Sequence, residues 1–501
     1  MFNNNFRNKL IVFLLLGILI SMFSINQTGI SKISLVPSAP FLISSDADFI
    51  AFGFPGFGNE SHPYLIENYE ITTTEQSGIF VTGTTKHFVI RNCVITAEAY
   101  AIFVDSVAPG TVEIRENNCD GNIQGIMVWS ASSSIVANNT CIENESYSIY
   151  VENSPNSIVA NNSCSGNSYG MLILFCAGSI IANNTYTNEG LDLYDSTIDD
   201  LLSYSVYNNY ANGKPIGWIT NLHDVEMNIS LYNQLYLINC TRCTVAGQSM
   251  QNSLKGITLF FCANTTIYKN TLNHIGYEGA GIYIVKSENT TVEENTISNF
   301  NYGIAVRSNS INTNITNNIC SNCFVGISVW STEALVQYNN IRNGLQGIRA
   351  SSTSNLDISQ NTIENNDYYG IQFHSMDFSS ITHNIIRNNG YYAVYLDDTC
   401  VNNIIHHNSF ISNRLDPGSQ AYDSGTNNIW YDVTTNEGNG WDDLESETTY
   451  QIDGSAGSVD LYPTNLAPIP EFQQIASLVL ILSLFGVTFI TFMLRKHKNK
   501  V

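Results

Sequence analysis

The sequence predicts an all-β fold, a parallel β-helix solenoid, and three observations carry that expectation. First, a glycine, alanine or serine followed by an isoleucine-type residue recurs about every twenty-three residues. The pairs are Gly78-Ile79, Ala101-Ile102, Gly125-Ile126, Ser148-Ile149 and Gly170-Met171, then Gly256-Ile257, Gly281-Ile282, Gly303-Ile304, Gly326-Ile327, Gly347-Ile348, Gly370-Ile371 and Ala393-Val394. Second, asparagines beat out of phase with these pairs, at Asn92, Asn118, Asn139, Asn162, Asn184, Asn270, Asn295, Asn318, Asn340, Asn361, Asn384 and Asn408. Third, short alternating strands such as Gly303-Ile304-Ala305-Val306-Arg307 and Asn314-Ile315-Thr316 lie between the beats, and nothing there has helical periodicity. A fixed period of this length marks a repeat architecture. The Leu-x-x-Leu-x-Leu frame of a leucine-rich repeat is absent.

Twenty-three residues less three turns leave three strands of about five residues, one coil of a β-helix, with coils about 4.8 Å apart. Each beat isoleucine then stacks inside on the one below. Each recurrent asparagine is expected at a turn, where it tolerates left-handed backbone and bonds the next rung. The elements follow in order: a signal peptide over 1–28, an N-terminal cap over 29–75 with a Phe54–Asn59 turn cluster, and coils over 76–412. Asp192-Leu193 and Gln234-Leu235 are expected to hold the register between Gly170 and Gly256, around an irregular coil or hairpin at about 204–231. A C-terminal cap is expected over 413–465, because the beat is lost from Leu415 to Pro463. Residues 466–501 are read as a sorting signal with a transmembrane helix and a basic tail.

The chain of 501 residues is only 13% charged and carries a net charge of −23. That balance suits a long polar β-surface and offers no basic stripe, so nucleic acid is not expected as a partner. Arg7 and Lys9 precede the apolar run Leu10 to Phe23, the pattern of a signal peptide. Ile475 to Leu494 is uncharged and long enough to cross a bilayer, and Arg495, Lys496, His497, Lys498 and Lys500 follow at once. Positive flanks stay inside, so the solenoid is expected on the extracellular face.

Two resemblances sharpen this. Pro470-Glu471-Phe472 ahead of the span and basic tail resembles the PEF-type C-terminal sorting signals of archaeal surface proteins. That resemblance implies an archaeosortase-like processing enzyme and attachment to lipid, against an ordinary membrane anchor. The second rests on Gly53-Phe54-Pro55-Gly56-Phe57-Gly58, Pro63-Tyr64-Leu65-Ile66-Glu67-Asn68-Tyr69, the Gly-Ile coils, Trp430-Tyr431-Asp432 and Asp453-Gly454. Together these are similar to archaeal NosD-like right-handed β-helix proteins. The wider group includes carbohydrate-binding proteins, sugar hydrolases, lyases and epimerases, and copper-delivery accessory proteins, so the resemblance implies a fold and leaves the chemistry open.

Outside the cell, Asn-x-Ser/Thr sequons are glycan acceptors when exposed. The candidates are Asn59, Asn138, Asn144, Asn161, Asn183, Asn228, Asn239, Asn264, Asn289 and Asn314, with Asn264, Asn289 and Asn314 expected in one column. Cys93, Cys119, Cys141, Cys164 and Cys320 fall six to eight residues before their beats and are expected in one core column as small apolar fillers. Cys240-Thr-Arg-Cys243 and Cys320-Ser-Asn-Cys323 have metal-like spacing but no partner pair, so no metal site is expected. No cofactor is expected, and no motif supports calcium.

A site has to be read from the columns. In each beat strand the second and fourth residues after the small one point outward. Over the last coils these columns bring Arg307, Trp330, Arg349, Gln372, His374, Tyr395 and Asp397 to one face. His374 and Asp397 fall on adjacent rungs, about 5 Å apart at their origins. Arg349 suits a uronate carboxylate, Trp330 a sugar face, and Arg307 and Gln372 complete a substrate-binding row. In an enzyme, Arg349 would stabilise the uronate, His374 or Tyr395 would move the proton, and Asp397 would orient His374. The expected partner is a polysaccharide or cell-surface glycan, bound by a surface-anchored, adhesive or structural β-helix. The alternatives are a lyase, epimerase or hydrolase on acidic polysaccharide, and a NosD-type copper-handling protein. The Asn-Thr-Asp and Gly-His-Gly motifs of polygalacturonase-like enzymes are absent, and the eight methionines are scattered.

Overall fold

A computed structural model describes residues 34–466, apart from 277, 308, 332, 415–417 and 446. The expected signal peptide, Pro470-Glu471-Phe472 and the Ile475–Leu494 run lie outside the described residues. Among those described, no helix is long and apolar enough to cross a membrane.

The chain forms the expected right-handed parallel β-helix, with three strands to a coil and the beat isoleucines in register. Ile79, Ile102, Ile126, Ile149, Ile257, Ile282, Ile304, Ile327, Ile348 and Ile371 are all fully buried. The small residue before each isoleucine answers to the next rung. A Cβ on Gly347 would lie 2.4 Å from the Gly370 carbonyl oxygen.

The beat strands build two stacks rather than one. In the first they run from Phe41–Ile43 through Ser77–Thr82 to Leu191–Tyr194. Stacked strands therefore begin well before residue 76. Here the beat falls at Gly190-Leu191, because Met171 pairs with Leu191, and not at Asp192-Leu193. The anticipated hairpin is the junction: Tyr210–Ala211 and Lys214–Thr220 pair antiparallel across Asn212 and Gly213, both with positive φ. This is the Asn-Gly chemistry that a tight hairpin requires. The second stack starts on Lys214–Thr220 and runs through Gln234–Ile238 to Ala421–Asp423.

The second stack also closes the first. Gln234 Oε1 accepts the Leu191 N–H at 3.1 Å, and the Tyr236 hydroxyl donates to the Leu191 carbonyl at 2.6 Å. Lys255 pairs with Asp192 at 2.5 Å. Tyr236, Ile238 and Phe260 point outward from their own coils and pack into the core of the first stack. At the far end the coils outlast residue 412, since Ala421–Asp423 and Gly440–Trp441 still pair in parallel. Trp430 and Trp441 then plug the core, their indole N–H groups donating to Asp423 and Asp460 at 3.0 Å.

The asparagine beat resolves into two roles on neighbouring residues. Asn138, Asn161 and Asn183 take the left-handed turn, with φ of 56–57°. The buried ladder is the next residue each time: Asn117, Asn139, Asn162, Asn184 and Asn209, then Asn270, Asn295, Asn318, Asn339, Asn361, Asn384, Asn408 and Asn439. Asn118 and Asn340 therefore belong to strands and not to the ladder. Asn92 is a left-handed turn residue, and Cys93 holds the first ladder place, its N–H donating to Asn117 Oδ1 at 3.1 Å. Cys93 thus leaves the expected column, while Cys119, Cys141 and Cys164 stack as read. All eleven cysteines are buried and unpaired.

A parallel ladder, Asn122–Asn144–Asn167, ends on the buried acid Glu189. This removes Asn144 as a glycan acceptor: it is 1% exposed, with its amide bonded to Asn167 and Cys119. Asn59, Asn138, Asn161, Asn228, Asn264 and Asn289 are exposed, and Asn183 and Asn239 are half-buried. Asn314 leaves its expected column for a strand paired with Thr291. Asn312 replaces it there, donating to Asn289 at 3.1 Å.

Candidate functional site

Strand register places the candidate residues on the outer face of the second stack. Ser328, Arg349, Gln372, Tyr395 and Tyr422 align rung by rung in one column. Ser351 aligns with His374 in the next outward column, flanked by Trp330 below and Asp397 above. All seven residues read from the sequence share this face.

Its lower end is cationic and aromatic. The Arg307 guanidinium lies 4.4 Å from the Tyr302 ring centre and 5.1 Å from that of Trp330, and Nη1 donates to Ser328 Oγ at 3.1 Å. Trp330 remains 39% exposed. One rung above Ser328, Arg349 is half-buried, and its Nε has no hydrogen-bond partner. Gln346 reaches across to Gln372 Oε1 at 2.9 Å. A cation held beside aromatic faces, as Arg307 is, suits a planar anion such as a carboxylate.

The upper end is a dyad. His374 Nδ1 is hydrogen-bonded to Asp397 Oδ2. The other Asp397 oxygen accepts the Thr399 hydroxyl at 2.6 Å and the Thr399 N–H at 3.0 Å. Burial pushes the Asp397 carboxyl up, but the Thr399 and Cys400 hydrogen bonds and the His374 charge together hold it below the usual range. The acid is therefore ionised and orients the imidazole. The His374 side chain is 55% exposed.

Tyr395 stacks on Tyr422 at 4.8 Å, and burial together with Tyr422 and Asp397 raises its phenol. At neutral pH it holds its proton, which makes it a donor and not a base. Sequence reasoning missed the tyrosines around it. Tyr368 and Tyr391 stack at 5.1 Å, Tyr369 lies 4.8 Å from Tyr395, and Arg414 sits 4.7 Å from the Tyr392 ring. The available signal was the pair of doublets, Tyr368-Tyr369 and Tyr391-Tyr392, one coil apart just before the beat.

Comparison with known proteins agrees with this architecture. A family model described as the right-handed β-helix region matches residues 56–211 and 187–341, together more than half of the chain. A second, described as periplasmic copper-binding protein (NosD), matches residues 272–446. A search of curated proteins found no match. Among solved structures, the chain is similar to the periplasmic alginate epimerase AlgG at 14% identity and a TM-score of 0.31, covering 79% of this chain and 84% of that one. It is similar to the Dettilon tailspike protein at 14% identity and a TM-score of 0.35, covering 71% and 62%. A mannuronic acid specific polysaccharide family 6 lyase from human gut microbiota is similar at 10% identity and a TM-score of 0.26, covering 88% and 93%.

Every cysteine is buried, and none belongs to a group of three close metal donors among the described residues. The one group of donors close enough to hold an ion among the described residues is His406, His407 and Asp432, an imidazole and carboxylate set that fits a divalent ion. The repeat, the stacked coils and the matched span together place this chain in the right-handed β-helix family.

Proposed function

We propose that the outer face of the second stack binds an acidic polysaccharide, and that the protein is a glycan-binding β-helix displayed outside the cell. The observation that carries the reading is the row itself: Arg307 among aromatic rings, Arg349 half-buried, and Trp330 partly exposed, on consecutive rungs of an open sheet. From Arg307 to Asp397 the row spans four rung steps, about 19 Å. That length suits several sugar units of a polymer. In a chain of net charge −23, two arginines on one face form a local exception that favours an anion.

Arg349→Ala and Trp330→Ala should each weaken binding of polygalacturonate about tenfold or more, the value of one charged or stacking contact. Stability should move by about 1 kcal/mol or less, because both side chains are partly exposed. Ile348→Ala, pointing inward on the same strand, should do the reverse. If both surface variants bind like the parent in calorimetry, the face is only a solvated wall.

The dyad favours a second reading, proton transfer on the bound uronate. His374 Nε2 would take the C5 proton as base, with Asp397 stabilising the imidazolium and Arg349 the developing carboxylate charge. The Tyr395 phenol would protonate the leaving oxygen in elimination, or the opposite face of C5 in epimerisation. Elimination would give an unsaturated uronate, seen as new ultraviolet absorbance. Such activity surviving in His374→Ala would remove catalysis from this pair. Anchoring through the Ile475–Leu494 span, with or without archaeosortase-like processing at Pro470-Glu471-Phe472, belongs to the same proposal. Protease treatment of intact cells should release the coils, and coils that stay protected would end it.

A further inference from the structure

Neighbouring residues on a strand point to opposite faces, so adjacent histidines ordinarily diverge. His406 ends the strand Ile404–His406, and His407 turns left-handed with φ 55°. The turn brings the two rings to one side, with Nδ1 of His406 2.5 Å from Nδ1 of His407. Asp432 approaches from the segment between the strands Ala421–Asp423 and Gly440–Trp441. One donor atom from each of the three residues lies within 4.8 Å of the others, and all three residues are half-buried.

The surroundings hold this arrangement. His407 Nε2 lies 2.7 Å from Glu437 Oε2, so the carboxylate keeps the proton on that nitrogen and leaves the Nδ1 lone pair facing His406. His383, one rung below and also left-handed, stacks on the His407 ring at 4.8 Å and 15°. Asp432 is fixed by its own loop: its Oδ1 accepts the Thr434 N–H at 2.7 Å, and its N–H donates to the Glu437 carbonyl at 2.8 Å. A carboxylate behind a ligating imidazole is the usual outer shell of a metal site, setting both tautomer and orientation.

We propose that His406, His407 and Asp432 bind one divalent transition-metal ion of the zinc or nickel type, with Glu437 as positioning residue. Two imidazoles and one carboxylate give three protein ligands, leaving a fourth position for water or an incoming donor. Ligand nitrogens on a tetrahedral ion sit about 3.3 Å apart, given metal–nitrogen bonds of about 2.0–2.1 Å. The rings therefore need to part by less than about 1 Å. The site lies on the turn after the strand Ile404–His406, away from the sheet that carries Arg349 and His374, and it does not depend on the glycan reading.

Calorimetric titration of the full-length protein with Zn2+ should show one saturable site per chain, and Zn2+ should raise the melting temperature. Asp432→Asn and His407→Ala should abolish both effects, and Glu437→Gln should weaken affinity by about 10–100-fold. His374→Ala should leave them unchanged. Absence of Zn2+-dependent heat and melting shift in the parent overturns the site, as does Asp432→Asn binding like the parent. Loss of binding in His374→Ala with retention in His407→Ala would put the ion on the other face, and equally refutes the assignment. Asp432→Asn conserves size, so its reading survives if His407→Ala fails to fold.

Discussion

Asn318→Ala should destabilise the protein by about 3–6 kcal/mol, although it removes one uncharged side chain from a long array. The side chain is fully buried, and Oδ1 accepts both the N–H and the Nδ2 of Asn295, at 3.0 and 2.9 Å. Its own Nδ2 donates to Val292, Thr316 and Asn339, at 2.8, 3.0 and 3.0 Å. Truncation orphans these donors and acceptors away from water, each at about 1–3 kcal/mol before relaxation. Neighbouring coils depend on one another in a solenoid, so the loss is not confined to one rung. Urea unfolding of parent and variant measures it. A difference under about 1 kcal/mol would mean that water replaces the amide and that the ladder is dispensable.

Glu189→Gln should act in the opposite direction, stabilising the protein on the order of 4 kcal/mol at pH 9 with little effect at pH 4. Burial pushes the Glu189 carboxyl up to about 8, partly offset by the Asn167 amide, which donates to both oxygens. The folded-state value lies above the unfolded one. The stability tied to the proton is therefore complete below about pH 4.5 and is lost as pH rises toward 8. Across that window the unfolded chain has released a proton that the folded chain keeps. Glutamine removes the titration and continues the amide ladder, as Gln420 already does above Asn413 in the second stack, accepting its Nδ2 at 3.0 Å. Unfolding curves for both proteins at pH 5 and pH 9 test this. Equal pH slopes would show that Glu189 is solvated in the native state.

Much of this was legible in the sequence because a solenoid repeats its instructions. The Gly-Ile beat fixes which residues point inward, and from there the columns carrying Arg349, His374 and Asp397 follow by counting. What failed were features that counting cannot reach. In an Asn-Asn doublet both residues suit a turn, and only the three-dimensional turn decides that Asn117 and Asn339 enter the ladder while Asn118 and Asn340 open strands. The junction at Asn212-Gly213 reads as a hairpin, but a change of stack has no local mark. Its evidence is tertiary, in outward residues such as Tyr236 and Phe260 that are fully buried. The His406–His407 pair was hidden for a related reason: a left-handed residue breaks the alternation on which column reading depends.

The junction also has a consequence in time. Strand Leu191–Tyr194 leaves the ribosome with a bare hydrogen-bonding edge, and its cover, Gln234 to Phe260, is encoded later. At synthesis rates of about 5–20 residues per second, the nascent first half waits roughly 3–13 seconds with an edge able to recruit any passing strand. The helix Ile198–Ser203 and the Asn-Gly hairpin emerge within that interval. They are local structure available to delay a wrong pairing until the second half arrives to finish the first.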